Sequence, residues 1–149
     1  MKTISRDIAG AILFSNDEHV LIGKNNKGGV YEDLWVIPGG GIDEGETKEQ
    51  ALQREILEEV GIDISAAKIT QLPEVQTGTT EKTMRDTGER VLVEMTFYNF
   101  KVEIEAPADQ ITIKLEDDFG YAEWVPFDQL NSRSYSPSVE NLLRSLDLL

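Results

Sequence analysis

The chain has 149 residues, enough to bury a core as one domain without disulfides or structural metals, and its 40% apolar and 28% charged residues are ordinary for a folded globular protein. It has no cysteine, which excludes disulfide staples, thiolate zinc sites and cysteine nucleophiles and fits a reducing compartment. A formal net charge of −14 repels DNA, RNA and anionic membranes at long range, so the partner expected is a small molecule, and a phosphorylated one would need cations recruited to the site.

Residues 1–7 are polar and charged, and no apolar run reaches the roughly 18 residues of a membrane span, so a cytoplasmic location is expected. Ile8–Phe14 and Val20–Ile22 are apolar runs separated by Ser15, Asn16, Asp17 and Glu18, the pattern of a β-hairpin. Residues 23–33 are polar and contain glycine, which predicts a loop. Leu34–Ile37 then forms a short apolar run stopped by Pro38 and three glycines, a strand followed by a tight turn. Thr47–Val60 contains no Gly or Pro, and Ala51, Leu52, Ile56 and Val60 recur at helical spacing; Gly61 is a natural stop. Ile69–Leu72 reads as a short strand and residues 74–90 as a long loop or flexible hairpin. The stretch from Arg90 to Ile104, rich in β-branched and aromatic residues, is the longest strand candidate. Tyr121–Pro126 reads as a further strand and Ser138–Leu146 as a closing helix with Val139, Leu142, Leu143 and Leu146 on one side. These elements predict an α/β (α+β) chain: a mixed sheet sandwiched between helices, in one domain over residues 1–149.

The central helix gathers its acids. At about 100° per residue, Glu55, Glu58 and Glu59 fall on one edge beside the apolar stripe. Like charges at i,i+3 and i,i+4 repel, so this edge weakens the helix unless a cation sits among the carboxylates. Pro38, Gly39, Gly40 and Gly41 allow a sharp turn and a close approach of backbone to ligand. Magnesium takes oxygen ligands, so helix carboxylates, a turn carbonyl, water and substrate phosphate would suit it. A solvated acidic face and an ordinary glycine turn remain the bland alternatives.

Taken together, Gly40, five residues, Glu46, seven residues, Arg54-Glu55-Ile56, one residue, Glu58-Glu59, one residue and Gly61-Ile62 match the Nudix box, so the chain resembles the Nudix hydrolases of the MutT-like branch. The flanking LWVIP and EWVPF segments look like the family as well. The resemblance implies the Nudix fold and hydrolysis of a nucleoside diphosphate linked to another moiety, with Mg²⁺ or Mn²⁺. Carried over by position, Glu55, Glu58, Glu59 and the Gly39 carbonyl resemble the family's metal ligands. Arg54 looks like the arginine that orients them, and Glu46 like the acid that braces the loop. The resemblance leaves two sources for the general base: Glu55 within the box, or Asp117 or Asp118 before the EWVPF strand.

Lys24, Tyr31, Arg85 and Arg90 are charged or aromatic groups that could meet substrate, against a default of solvated loop positions. His19 reads as a surface residue, and Trp35 and Trp124 as core. The leading functional reading is a nucleoside triphosphate pyrophosphohydrolase, with room for a homodimer. A nucleotide-sugar, ADP-ribose or dinucleoside polyphosphate hydrolase is the enzymatic alternative, and a non-catalytic nucleotide-sensing module the alternative from another class. Residues 134–137 (SYSP) lack the asparagine with which MutT-like enzymes recognise guanine.

Overall fold

The computed structural model describes residues 1–25, 33–116 and 119–149; Tyr31, Asp117 and Asp118 lie outside the described residues. Along the chain run β1 (Lys2–Phe14), β2 (His19–Asn25), β3 (Gly39–Gly41), α1 (Lys48–Val60), β4 (Lys68–Thr83), β5 (Arg90–Glu103), β6 (Phe119–Pro126) and α2 (Pro137–Ser145). Two 3₁₀ turns, Ala108–Gln110 and Phe127–Ser132, flank β6. The strands form one six-stranded mixed sheet in the order β4-β5-β1-β2-β6, with β3 attached to β1.

Alternation along β1 explains how helices cover both faces. Ala9, Ala11 and Leu13 pack with Leu52, Ile56 and Val60 of α1, while Ile12 and Phe14 pack with Val139, Leu142 and Leu143 of α2. The expected sandwich is therefore present, and no described helix is long and apolar enough to cross a membrane.

Helix α1 begins where its sequence provides a cap. Thr47 Oγ1 accepts the Gln50 N–H at 3.1 Å, and Gln50 Oε1 accepts the Thr47 N–H at 2.9 Å. It ends at Gly61, whose φ of 70° is left-handed and whose N–H donates to Leu57 O at 3.1 Å.

Three expectations are corrected. β1 starts at Lys2 and not Ile8, because its polar first half lies in a parallel ladder with β5 from Lys2↔Val91 to Phe14↔Glu103; backbone bonds hold it without an apolar face. The stretch 74–83, read as part of a long loop or flexible hairpin, is not loop but one arm of a regular hairpin: it continues β4 to Thr83, paired with β5 and closed by a turn in which Met84 N–H donates to Glu89 O at 2.8 Å. The glycines do not form a tight turn after a strand. Gly39–Gly41 are themselves the strand, none at positive φ, while Trp35 and Val36 make only isolated bridges.

The glycine strand positions the site. β1 and β2 meet only at Phe14↔Val20, and the sheet opens between them. Residues 36–42 fill the opening: Val36 exchanges hydrogen bonds with Gly23 of β2, Ala11 N–H of β1 donates to Pro38 O at 3.0 Å, and Ile42 N–H donates to Asp7 O at 2.9 Å.

Candidate active site

The two hydrogen bonds to Pro38 and from Ile42 leave Gly39 and Gly41 as non-hydrogen-bonded partners of Gly10 and Ile8. Their N–H and C=O groups therefore point away from β1. Gly39 N–H donates to Glu59 Oε1 at 2.8 Å, and Gly41 O accepts from Arg54 Nη2 at 3.0 Å. Both groups of a strand residue point to the same edge, so the Gly39 carbonyl faces outward on the edge where Glu59 docks.

Gly40, between them, lies against α1. A Cβ there would stand 2.2 Å from the Glu55 carboxyl carbon, so only glycine lets the backbone come this close to the acid. On the opposite face of the strand, the Arg6 guanidinium lies over Gly41, where a Cβ would be 2.2 Å from Nη2. Arg6 is a cation that the sequence reading did not single out.

Arg54 ties the acids together. Its Nε and Nη2 donate to the two Glu46 oxygens, each at 2.9 Å, and its Nη1 donates to Glu55 Oε1 at 2.8 Å. Nη1 also stands 3.5 Å from Glu58 Oε2, and Asp43 Oδ2 is 3.4 Å from Nη2. The guanidinium is thus the cation that relieves repulsion between Glu55 and Glu58, and the helix needs no metal for that purpose. Bonding to Glu46 raises the Arg54 pKa, against partial burial that lowers it, and Glu55 adds to the rise. The same Arg54 bond, joined by the Asp43 N–H at 2.8 Å, pulls the Glu46 carboxyl down to about 2.

Exposure separates the acids: the Glu55 side chain is 17% exposed and pinned, whereas that of Glu58 is 47% exposed. Among the described residues, no three His, Cys, Asp or Glu side chains converge tightly enough to hold a metal ion unaided. Donor chemistry still suits a hard cation, since Glu55, Glu58, Glu59 and the Gly39 carbonyl all offer oxygen.

Beside Glu59 and Gly39 opens a cleft of about 230 Å³ over the α2 face of the sheet. It continues into an outer groove of about 780 Å³, the two sharing Asn25, Val36, Gln76, Phe97, Ser136 and Ser138. Lys24 is not among the lining residues of either; its ammonium sits 4.9 Å from the Trp35 ring centre, which Arg133 also approaches at 4.6 Å. Trp35 is only partly buried, while Trp124 packs against the α1 half of the core and donates its indole N–H to Ile111 O at 3.2 Å. Arg85 is exposed in the turn between β4 and β5, beyond Thr80, and is not brought to the cleft. Arg90 pairs with Glu81 at 3.2 Å. Asn99, Gln76, Ser136 and Ser138 were missed by the sequence reading. Asn99 carried a signal, as a lone amide inside an apolar strand; Gln76 lay in a segment read as a long loop or flexible hairpin, where no face could be assigned.

The NUDIX domain family model matches residues 5–146. An RNA pyrophosphohydrolase from Wolbachia sp. subsp. Brugia malayi (strain TRS) is 50% identical over 58 residues, 39% of this chain and 34% of that protein. The nucleoside triphosphatase NudI of Enterobacter sp. (strain 638) is 40% identical over 65 residues, 42% of this chain and 46% of its own length. The chain thus spans a third to a half of the curated relatives it matches here. A solved structure of MutT, from work on the Aliivibrio salmonicida and Vibrio cholerae proteins, aligns with a TM-score of 0.60 at 21% identity, covering 95% of this chain and 96% of that one. With a family model covering nearly the whole chain and an intact box wrapped around a glycine strand, this chain belongs to the NUDIX domain family.

Proposed function

We propose that this chain is a divalent-cation-dependent pyrophosphohydrolase that cleaves the diphosphate linkage of a nucleoside triphosphate. The observation that carries the reading is the docking of the box acids on the glycine strand: Glu55 under Gly40, and Glu59 on the Gly39 amide, where Glu59 and Gly39 line a cleft. Glu55, Glu58, Glu59 and the Gly39 carbonyl would hold Mg²⁺ or Mn²⁺. Magnesium keeps waters and binds through a few carboxylates plus substrate phosphates, so an incomplete protein shell is what its chemistry calls for. When bound, the cation neutralises the diphosphate and lowers the pKa of an attacking water.

The protein's own part is positioning. Arg54 locks Glu55 from one side while Glu46 locks Arg54, so the acid nearest the backbone is held in one orientation. Glu55 is the first candidate for the general base, Asp118 the second. The cleft would receive the nucleoside.

The test is a panel of nucleoside triphosphates, nucleotide sugars, ADP-ribose and dinucleoside polyphosphates, incubated with Mg²⁺ and with Mn²⁺ and resolved by product mass. Turnover is expected with triphosphates, lost in excess chelator, with ¹⁸O from water appearing in a phosphate-containing product. Turnover in excess chelator, or label only in a sugar or base, would refute the mechanism. The Wolbachia relative favours a second reading, a triphosphate at the 5′ end of RNA. A 5′-triphosphorylated oligonucleotide in the panel separates the two, and the net charge of −14 favours the mononucleotide.

A further inference from the structure

Resting on that reading, we infer that Asn99 determines base specificity: it selects nucleotides whose base presents an N–H donor to the floor of the inner cleft, and Gln76 sets its orientation. Asn99 is only 3% exposed, on the β5 face that lines the cleft, and stands opposite Gly10 in the parallel ladder. Gly10 leaves room for it, since a Cβ there would come within 2.7 Å of Asn99 Oδ1. A buried amide costs free energy unless its hydrogen-bonding groups are used.

Which way this amide faces follows from its neighbours. The chain of bonds ends on a main-chain carbonyl, Ser138 O, which can only accept, so Gln76 must present its NH₂ group there, at 3.1 Å. Gln76 Oε1 is then turned toward Asn99, which must answer with its own NH₂ group, at 3.4 Å. What remains for the cleft is Asn99 Oδ1, an acceptor with no protein donor among the described residues. Phe97, two residues earlier on the same face, gives the cleft an apolar aromatic wall. At about 230 Å³ the inner cleft is below the ~300 Å³ where pockets for drug-sized ligands begin, so it fits a base and not a whole nucleotide.

A purely structural amide tie between β5, β4 and α2 would not distinguish one substrate from another, and the test uses that difference. For the best nucleoside triphosphate of the panel, kcat/KM is compared with that of analogues whose base N–H donors are replaced one at a time by C–H or N-methyl. Wild-type enzyme is expected to lose about 10- to 100-fold with one of these analogues, mainly through KM, the scale of one buried hydrogen bond. Asn99→Leu should lose a similar factor on the parent nucleotide and nothing further on that analogue. Gln76→Leu should narrow the difference, because the Asn99 amide can then present either edge. Thermal melts of each variant separate folding from recognition, and the wild-type comparison stands if a variant does not fold. Equal wild-type activity on parent and analogues, or an Asn99→Leu loss that is the same for both, would overturn the assignment while leaving the pyrophosphohydrolase reading intact. Absence of turnover on every nucleotide would overturn both.

Discussion

Adding a single methyl group at Gly40 should disable the site while leaving the fold largely in place. In Gly40→Ala the new Cβ would stand 2.2 Å from the Glu55 carboxyl carbon and 2.3 and 2.6 Å from its oxygens, where ordinary contact begins near 3.4 Å. The carboxylate must therefore retreat by about 1.2 Å. It is not free to do so cheaply, because Arg54 Nη1 holds it at 2.8 Å and Arg54 is itself clamped by both Glu46 oxygens and by Gly41 O. Overpacking of this kind costs about 1–3 kcal/mol of stability, and misplacing a catalytic group by about 1 Å costs on the order of 10²-fold in rate. The assay is kcat in saturating Mg²⁺ on an identified nucleotide, paired with metal-free thermal melts. Gly88→Ala is the control: φ is 69° with nothing within 4 Å of the new Cβ, so it should cost about 1–2 kcal/mol of backbone strain and leave kcat unchanged. If Gly40→Ala folded and kept wild-type kcat, the claim that Glu55 acts from beneath this glycine would be wrong.

Glu58→Gln and Glu59→Gln should each lower kcat by about 10²–10⁴-fold, since each removes a negative charge from the edge proposed to hold the cation; near-normal turnover would remove that edge from the mechanism. Their metal-free melts should differ little from wild type, because Arg54 already relieves the carboxylate repulsion and the amide oxygen introduced by Glu59→Gln can still accept the Gly39 N–H. Leu52→Ala should cost about 2–5 kcal/mol in denaturant titrations, as Leu52 is fully buried under the sheet, with kcat preserved in the folded fraction. The folded Glu46 carboxyl lies near 2, below the ordinary value of about 4.3, so its stabilisation is present above about pH 4.3 and is lost as pH falls toward 2. Glu46→Gln should accordingly be less stable at neutral pH and flatter across that acid window in melts from pH 2 to 7; parallel profiles would refute the Arg54–Glu46 clamp.

Helix α1 could be read directly from the sequence, because every signal that makes it is local: the Thr47 cap, the spacing of Leu52, Ile56 and Val60, and the stop at Gly61. The box acids could be read for the same reason, as periodicity alone sets Glu55, Glu58 and Glu59 on one edge. Strand β4 could be read only at its start, Ile69–Leu72; from Glu74 to Thr83 it is almost wholly polar and carries no apolar alternation, and only pairing with β5 makes it a strand. Nor could the glycines be read as a strand. Their conformation is extended, and what they supply is the missing side chain that lets Gly40 meet Glu55 from α1 and Gly41 meet Arg6 from β1. The cleft is the furthest from sequence, because Gln76, Asn99 and Ser138 come together only when β4, β5 and α2 pack. Local hydrogen bonding and periodicity thus determined the helix that carries the box and its family, while close contacts between distant segments decided which groups line the cleft.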